Sequence, residues 1–261
     1  MTARFLKNII LPSFVVIAIA CGGIFYAQAA ENTQKKAQKN FTKEEIEKIV
    51  HDYITKDPQF ILDAVNAHMA KSAQAEQQRA DEGFKKNKDM LFKDSSSPET
   101  GNPQGDVTIV EFFDYNCGYC KHALPAVQAL LEKDKNVRFI FRDFPILGPT
   151  SETAAKWALA AQKQKKYFEF HRALMENKTP INDALLEKIS KDVGMDPMQA
   201  KKDAADPEIS LQLDKNRALA GEMALTGTPA FIVGDQVFRG AISQQDMEKA
   251  VAEQRAKNAK K

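Results

Sequence analysis

Cysteine is scarce in this chain. There are three in 261 residues, and the first, Cys21, lies in an apolar stretch near the N-terminus. The remaining two, Cys117 and Cys120, are too few for the disulfide framework that staples small exported domains. The four histidines, His51, His68, His122 and His171, show no paired spacing. A tetrahedral zinc site built on Cys117 and Cys120 would therefore lack two ligands, and no metal site is expected. Covalent haem attachment requires His directly after the second cysteine. Lys121 stands there, and His122 comes one place late. An excess of one charge is also missing: 37 Lys and Arg against 35 Asp and Glu leave a net charge of +2. That balance argues against a nucleic-acid partner. There is no internal repeat.

What is present centres on Val107-Thr-Ile-Val-Glu-Phe-Phe-Asp-Tyr-Asn-Cys-Gly-Tyr-Cys120. An apolar β-type run ends in a short turn, and two cysteines open a helix, separated only by Gly118 and Tyr119. That spacing suits a disulfide that forms and breaks within one helical turn. Backbone N–H groups at a helix start lack intrahelical partners and the macrodipole is positive there, so a sulfur in that place is favoured as thiolate, the nucleophile of disulfide exchange. An inert structural disulfide is the alternative, although so short a loop recovers little unfolded-state entropy.

The chain is long enough for one or two domains with real cores. Residues 1–29 read as a secretory leader: Arg4 and Lys7 are basic, Ile9 to Tyr26 is apolar, and Ala27-Gln28-Ala29 fits a cleavage site. An uncleaved membrane anchor and a lipoprotein built on Cys21 are the competing readings. Cleavage would remove Cys21 and leave one redox pair in a compartment where disulfides persist, the periplasm.

Residues 30–94 read as an N-terminal helical segment. Thr42 and Glu45 form a capping box, followed by Ile46, Ile49, Val50 and Tyr53 at helical spacing. Asp57-Pro58 opens a second helix with Ile61, Leu62, Val65 and Met69 on one face, and Gly83 weakens its continuation. Helices this short need a partner. The same segment of another copy is favoured over the main domain, which makes 41–82 an oligomerisation element. Met90-Leu-Phe92 is expected as a short edge strand and 95–105 as a linker of loop chemistry. Val107–Phe113, a helix from Gly118 to Lys133 kinked at Pro125, and Val137–Arg142 form a strand–helix–strand crossover with parallel strands. Residues 150–224 are almost wholly helical, with starts at Asp196-Pro197 and Asp206-Pro207. A hairpin over Ala230–Arg239 and a helix from Ser243 complete a domain made of 106–149 and 225–261.

In this order the features resemble the thioredoxin superfamily, and more narrowly the exported bacterial thiol–disulfide oxidoreductases of the DsbA type, over roughly residues 90–257. The resemblance rests on Phe112-Phe113-x-x-x-Cys117-Gly-Tyr-Cys120, Pro125, the helical block, and Gly227-Thr228-Pro229 before Phe231. It implies an α/β thioredoxin fold with an inserted helical domain, preceded by an N-terminal helical segment. The Gly-Tyr dipeptide and Thr228 are similar to the isomerase branch, DsbC, and the helical insert resembles that of both DsbA and the isomerase-like ScsC proteins.

The resemblance also implies roles. Cys117 is the attacking and more exposed sulfur and Cys120 the resolving thiol, with Gly118 and Tyr119 tuning the pair. No cofactor is implied beyond the Cys117–Cys120 disulfide itself. Glu111 shares a strand face with Val107, Ile109 and Phe113, and corresponds to the family's proton relay beneath the second cysteine. An exposed strand glutamate is the competing reading. Pro229 is implied to be cis, with Thr228 offering backbone to an extended substrate; without the family, Thr-Pro is a simple strand start. His122 either raises the positive potential near Cys117 or is a solvated helix residue.

The expected function is formation or isomerisation of disulfides in unfolded or misoxidised secreted proteins, with a membrane redox partner setting the direction. The contrasting class is a periplasmic chaperone or a copper-handling dithiol protein.

Overall fold

A computed structural model of the chain describes residues 40–260. The leader expected over 1–29 lies outside the described residues. The chain divides into two compact units between Ala67 and His68.

The first unit holds helix α1, Lys43–Lys56, and the start of α2, Pro58–Lys86. The capping box forms as the sequence suggests: Glu45 N–H donates to Thr42 Oγ1 at 3.2 Å, and Thr42 N–H donates to Glu45 Oε2 at 3.0 Å. Helix α1 buries no residue. Ile46, Ile49, Val50, Tyr53 and Ile54 are exposed along it, and Phe60, Ile61, Leu62 and Val65 along the first turns of α2. Tyr53 meets Phe60 edge to face at 5.6 Å between ring centres.

In the second unit α2 continues past Gly83, where a weakening was expected. The glycine is where the helix meets the C-terminal end of α9, Pro207–Glu222. A Cβ at Gly83 would lie 1.9 Å from the Glu222 carbonyl oxygen, so only a residue without a side chain permits this approach. Asn87 Nδ2 fastens the junction, donating to Gly83 O at 2.9 Å and Glu222 Oε2 at 2.6 Å.

Met90–Phe92, expected as an edge strand, lies instead in the short helix α3, Lys88–Lys93. The reason is tertiary. The guanidinium of Arg142, fully buried, donates to the carbonyl oxygens of Met90 and Leu91 and to Asp94 Oδ2, satisfying the orphan carbonyls of a helix end. The edge strand is β1, Glu99–Gly101, inside the stretch expected to be loop throughout. It pairs antiparallel with β3, Val137–Asp143.

The five-stranded sheet has the order β1-β3-β2-β4-β5. Strand β2, Val107–Phe113, runs parallel to β3, joined by α4, Gly118–Lys133, with Pro125 inside it. Strands β4, Ala230–Val233, and β5, Gln236–Arg239, add antiparallel. Between β3 and β4 come α5 (Pro149–Lys163), α6 (Tyr167–Glu176), α7 (Asp183–Asp192), α8 (Pro197–Ala204) and α9. The Asp196 and Asp206 carboxylates accept first-turn N–H groups of α8 and α9, as Ser243 does for α10, Gln244–Asn258. This is the α/β thioredoxin fold with a helical insert.

Strand alternation sorts the core. Val107, Ile109 and Phe113 join α4, α5, α6 and α10 on one face, whereas Val110 and Phe112 join Phe84, Leu91 and Leu219 on the other. Fully burying each such side chain stabilises by roughly 1.5–3 kcal/mol, so a one-residue slip of β2 would be prohibitive. Gly83→Ala should destabilise the second unit by about 1–3 kcal/mol through overpacking against Glu222. Urea unfolding checks this; an unchanged midpoint would mean that the two helices separate freely.

Candidate active site

Strand β2 ends at Phe113 and the chain turns sharply. The carboxylate of Asp114 is buried and organises the turn: Oδ1 accepts from Asn116 N at 2.8 Å, and Oδ2 accepts from Ile146 N at 2.8 Å and Leu147 N at 3.0 Å. Its carbonyl accepts from Cys117 N at 3.0 Å. Cys117 is then the N-cap of α4, with extended backbone and no side-chain capping hydrogen bond. Its sulfur lies at the terminus where the free N–H groups and the positive end of the helix are found.

Both sulfurs are free thiols, and both are buried. Cys117 is 6 % exposed and Cys120 is 1 % exposed. The expected order of exposure is present, yet the margin is narrow, because the β4 loop covers the first sulfur. Cys117 Sγ donates to the Thr228 carbonyl oxygen at 3.2 Å, and the Thr228–Pro229 bond is cis. Residues 111 positions apart thus meet. Gly118 is exposed and no atom crowds it; Tyr119 is 73 % exposed at the rim. His122 is exposed on α4.

Glu111 is buried in the middle of the sheet, opposite Phe141 of β3 and Phe231 of β4. Burial is the main cause, and the Cys117 charge a second, that pushes its carboxyl up to about 8. The Cys120 thiol is pushed strongly up by burial and then by the Glu111 charge. Glu111 therefore feels both sulfurs. Around pH 8 the carboxyl is balanced between its two forms, which suits a group that takes and returns a proton.

Sequence reasoning passed over the polar residues around this centre. His171, singled out in the sequence only as a histidine without paired spacing, is buried with Nδ1 3.1 Å from Tyr115 Oη, and burial pushes its imidazole down to about 3. Tyr167 Oη donates to Asp143 Oδ2 at 2.9 Å, and burial raises Asp143 to about 7. The Asp-Tyr-Asn run before Cys117 was the available signal, since Asp accepting a backbone N–H two residues on is turn chemistry. The partners of Tyr115 and Asn116 carry no such local mark.

Comparison with known proteins gives a consistent picture. Residues 108–252 match the DSBA-like thioredoxin domain family, and residues 43–75 match the N-terminal domain of the copper resistance protein ScsC. A thioredoxin-like oxidoreductase from Silicibacter pomeroyi is 44% identical with a TM-score of 0.64, covering 65% of this chain and 98% of its own. The thiol-disulfide exchange protein alpha-DsbA2 from Wolbachia pipientis is 33% identical with a TM-score of 0.64, covering 69% of this chain and 97% of its own. A Na(+)/H(+) antiporter NhaA 1 from Salinispora arenicola is 28% identical over 153 residues, which is 58% of this chain. The chain spans 24% of the length of that curated relative.

The buried carboxyl sets the sign of a pH effect. Below the ordinary glutamate value of 4.5, Glu111 is protonated whether the chain is folded or not. Between 4.5 and about 8 the unfolded chain releases a proton that the folded protein keeps, so stability falls as pH rises. Asp143 acts in the same sense. Glu111→Gln should therefore flatten part of the slope, gaining roughly 2–4 kcal/mol over the parent at pH near 8 and little at pH near 4. Urea unfolding across that range measures it, and parallel curves for parent and variant would refute the assignment.

Proposed function

The chain belongs to the DsbA-like thioredoxin-domain family, and on that premise we propose that it is an exported thiol–disulfide oxidoreductase that forms or isomerises disulfides in secreted proteins. The observation that carries the reading is Cys117 at the N-cap of α4, with its sulfur 3.2 Å from the Thr228 carbonyl oxygen and Cys120 one helical turn behind it.

The chemistry follows from that placement. In the oxidising direction a client thiolate attacks the Cys117 sulfur of the Cys117–Cys120 disulfide. A client–Cys117 disulfide forms, and Cys120 leaves as a thiolate that takes up a proton. A second client thiolate then attacks the client sulfur of the mixed disulfide and releases Cys117 as thiolate. The client loses two electrons and the Cys117–Cys120 pair gains them. In the isomerising direction the Cys117 thiolate attacks a client disulfide, joins one client sulfur and frees the other. Cys120, whose thiol is held up by burial and by Glu111, is a poor anion in this environment. Glu111 is assigned the proton exchange that its departure and return require. Thr228 presents backbone beside the nucleophile, where an extended client can pair as an added strand and be held with little regard to sequence. A membrane redox partner sets which direction prevails.

Export to the periplasm is supported by the basic, apolar and small-residue pattern of residues 1–29. No helix among the described residues is long and apolar enough to cross a membrane. Self-association through residues 41–82 is supported by the exposed apolar row of α1 and early α2 and by the match of 43–75 to the ScsC N-terminal domain. That match also favours a second reading, a Cu(I)-handling dithiol, because soft Cu(I) prefers thiolates. Among the described residues there is no group of three or more His, Cys, Asp or Glu side chains that could hold a metal, so the sulfur pair alone would have to serve.

Two measurements test these statements. Cys120→Ala should trap client–Cys117 disulfides, visible on non-reducing gels, and lose refolding of a scrambled disulfide client; a chaperone or copper carrier would show no such adduct. Ile49→Glu, which places a charge in the exposed row of α1, should lower the mass found by light scattering to that of one chain. A mass identical to that of the parent protein would remove the assembly role.

A further inference from the structure

The three residues before Cys117 are each tied to the helical insert or to the loop that leads into it. Asp114 takes the N–H groups of Ile146 and Leu147. Tyr115 pairs with His171 of α6. Asn116 Nδ2 donates to Thr150 Oγ1 and to Ser151 Oγ, both at 2.9 Å, in the first turn of α5. Beyond the cysteines, Lys121 Nζ donates to the Asn177 carbonyl oxygen at 2.7 Å, just past α6. The cysteine turn is thus held from the side by the insert, on both flanks of the sulfur pair.

These ties do not have equal meaning. Tyr115 and Asp114 are buried, and a buried polar group left unpaired is costly, so their hydrogen bonds are needed wherever the turn sits. Asn116 is exposed. Water would satisfy its amide equally well; of its two bonds only the one to Ser151, whose hydroxyl is buried, answers a demand of burial, and the one to Thr150 does not. What those bonds do is fix the residue directly before the nucleophile to the start of α5. The next sulfur along then meets the Thr228 carbonyl oxygen at 3.2 Å, in the place assigned to the client backbone. Displacement of a reacting atom by about 1 Å can cost a hundredfold in rate, so a two-point tether one residue away has leverage.

We propose that Asn116 is a positioning residue, through which Thr150 and Ser151 of the helical insert hold Cys117 in register with a client bound along Thr228. The inference rests on the oxidoreductase reading above and adds to it what the insert contributes to the reaction. It predicts a split between substrates. A client that must pair with the Thr228 backbone needs the register, whereas a small disulfide that diffuses to the sulfur does not.

The test is stopped-flow release of an aryl thiolate in the full-length Cys120→Ala protein, where only the first exchange is read. One substrate is an extended peptide whose cysteine is joined to an aryl thiol, and the other is the symmetrical small aryl disulfide. In both, the Cys117 thiolate forms a new S–S bond and the same aryl thiolate leaves. Asn116→Ala should slow the peptide about tenfold and the small disulfide less than about twofold, the size expected for losing two neutral hydrogen bonds from the attack geometry alone. Thr150→Val with Ser151→Ala should give a similar loss, and combining it with Asn116→Ala should add nothing. Equal slowing of both substrates, no slowing of the peptide, or losses that multiply would each overturn the inference. A parent protein that releases no aryl thiolate from either substrate would overturn the oxidoreductase reading and this inference with it.

Discussion

The contact between the Cys117 sulfur and the Thr228 carbonyl oxygen is the constraint on which the other features converge. It joins the turn after β2 to the loop before β4, and the sheet order makes it possible. Because β2 pairs antiparallel with β4, the end of β2 and the start of β4 fall at the same end of the sheet. The parallel β2–β3 pair requires a crossover, which α4 supplies, and this sets the N-terminus of α4 at that same end of the sheet. The sulfur pair and the backbone beside it are therefore consequences of strand order as much as of the cysteine spacing.

Burial then decides the charge states around the pair. Glu111, Asp143 and His171 each lie in apolar surroundings, and each is displaced toward its neutral form by desolvation. Water is replaced by Phe113, Phe141, Phe231 and their neighbours, so an ion there has little to stabilise it. The arrangement lowers stability at neutral pH, and it gives the carboxyl of Glu111 the balance between its two forms that the proposed proton exchange with Cys120 would use. Arg142 on the opposite face is displaced in the same sense by burial, but there Asp94 offsets part of the effect, and Asn216 and two carbonyl oxygens also share its charge. There the ion is retained because its donors are used to tie α3 to the sheet.

The N-terminal helices follow a different logic. Helix α1 has a formed capping box and a row of apolar side chains, yet buries none of them. Local chemistry is sufficient to start and stop such a helix, but its stability needs a surface to cover that row. The proposed self-association supplies one.

How much of this was legible in the residues follows from the range of the interactions involved. Thr42, Asp196, Asp206 and Ser243 cap helices through partners two or three positions away, so the sequence determined those starts unaided. The alternation in β2, the Cys-Gly-Tyr-Cys turn and the placement of Glu111 on the Ile109 face are equally local. Tertiary structure decided the rest. Met90–Phe92 is helical because a buried arginine from β3 takes its carbonyl groups, and Glu99–Gly101 is a strand because β3 offers an edge. Gly83 within a helix is explained by the Glu222 carbonyl, which occupies the space a side chain would fill, and Asn116 has partners because α5 begins beside it. Each of these outcomes depends on an atom tens of residues away, and no pattern of neighbours along the chain encodes where that atom will arrive.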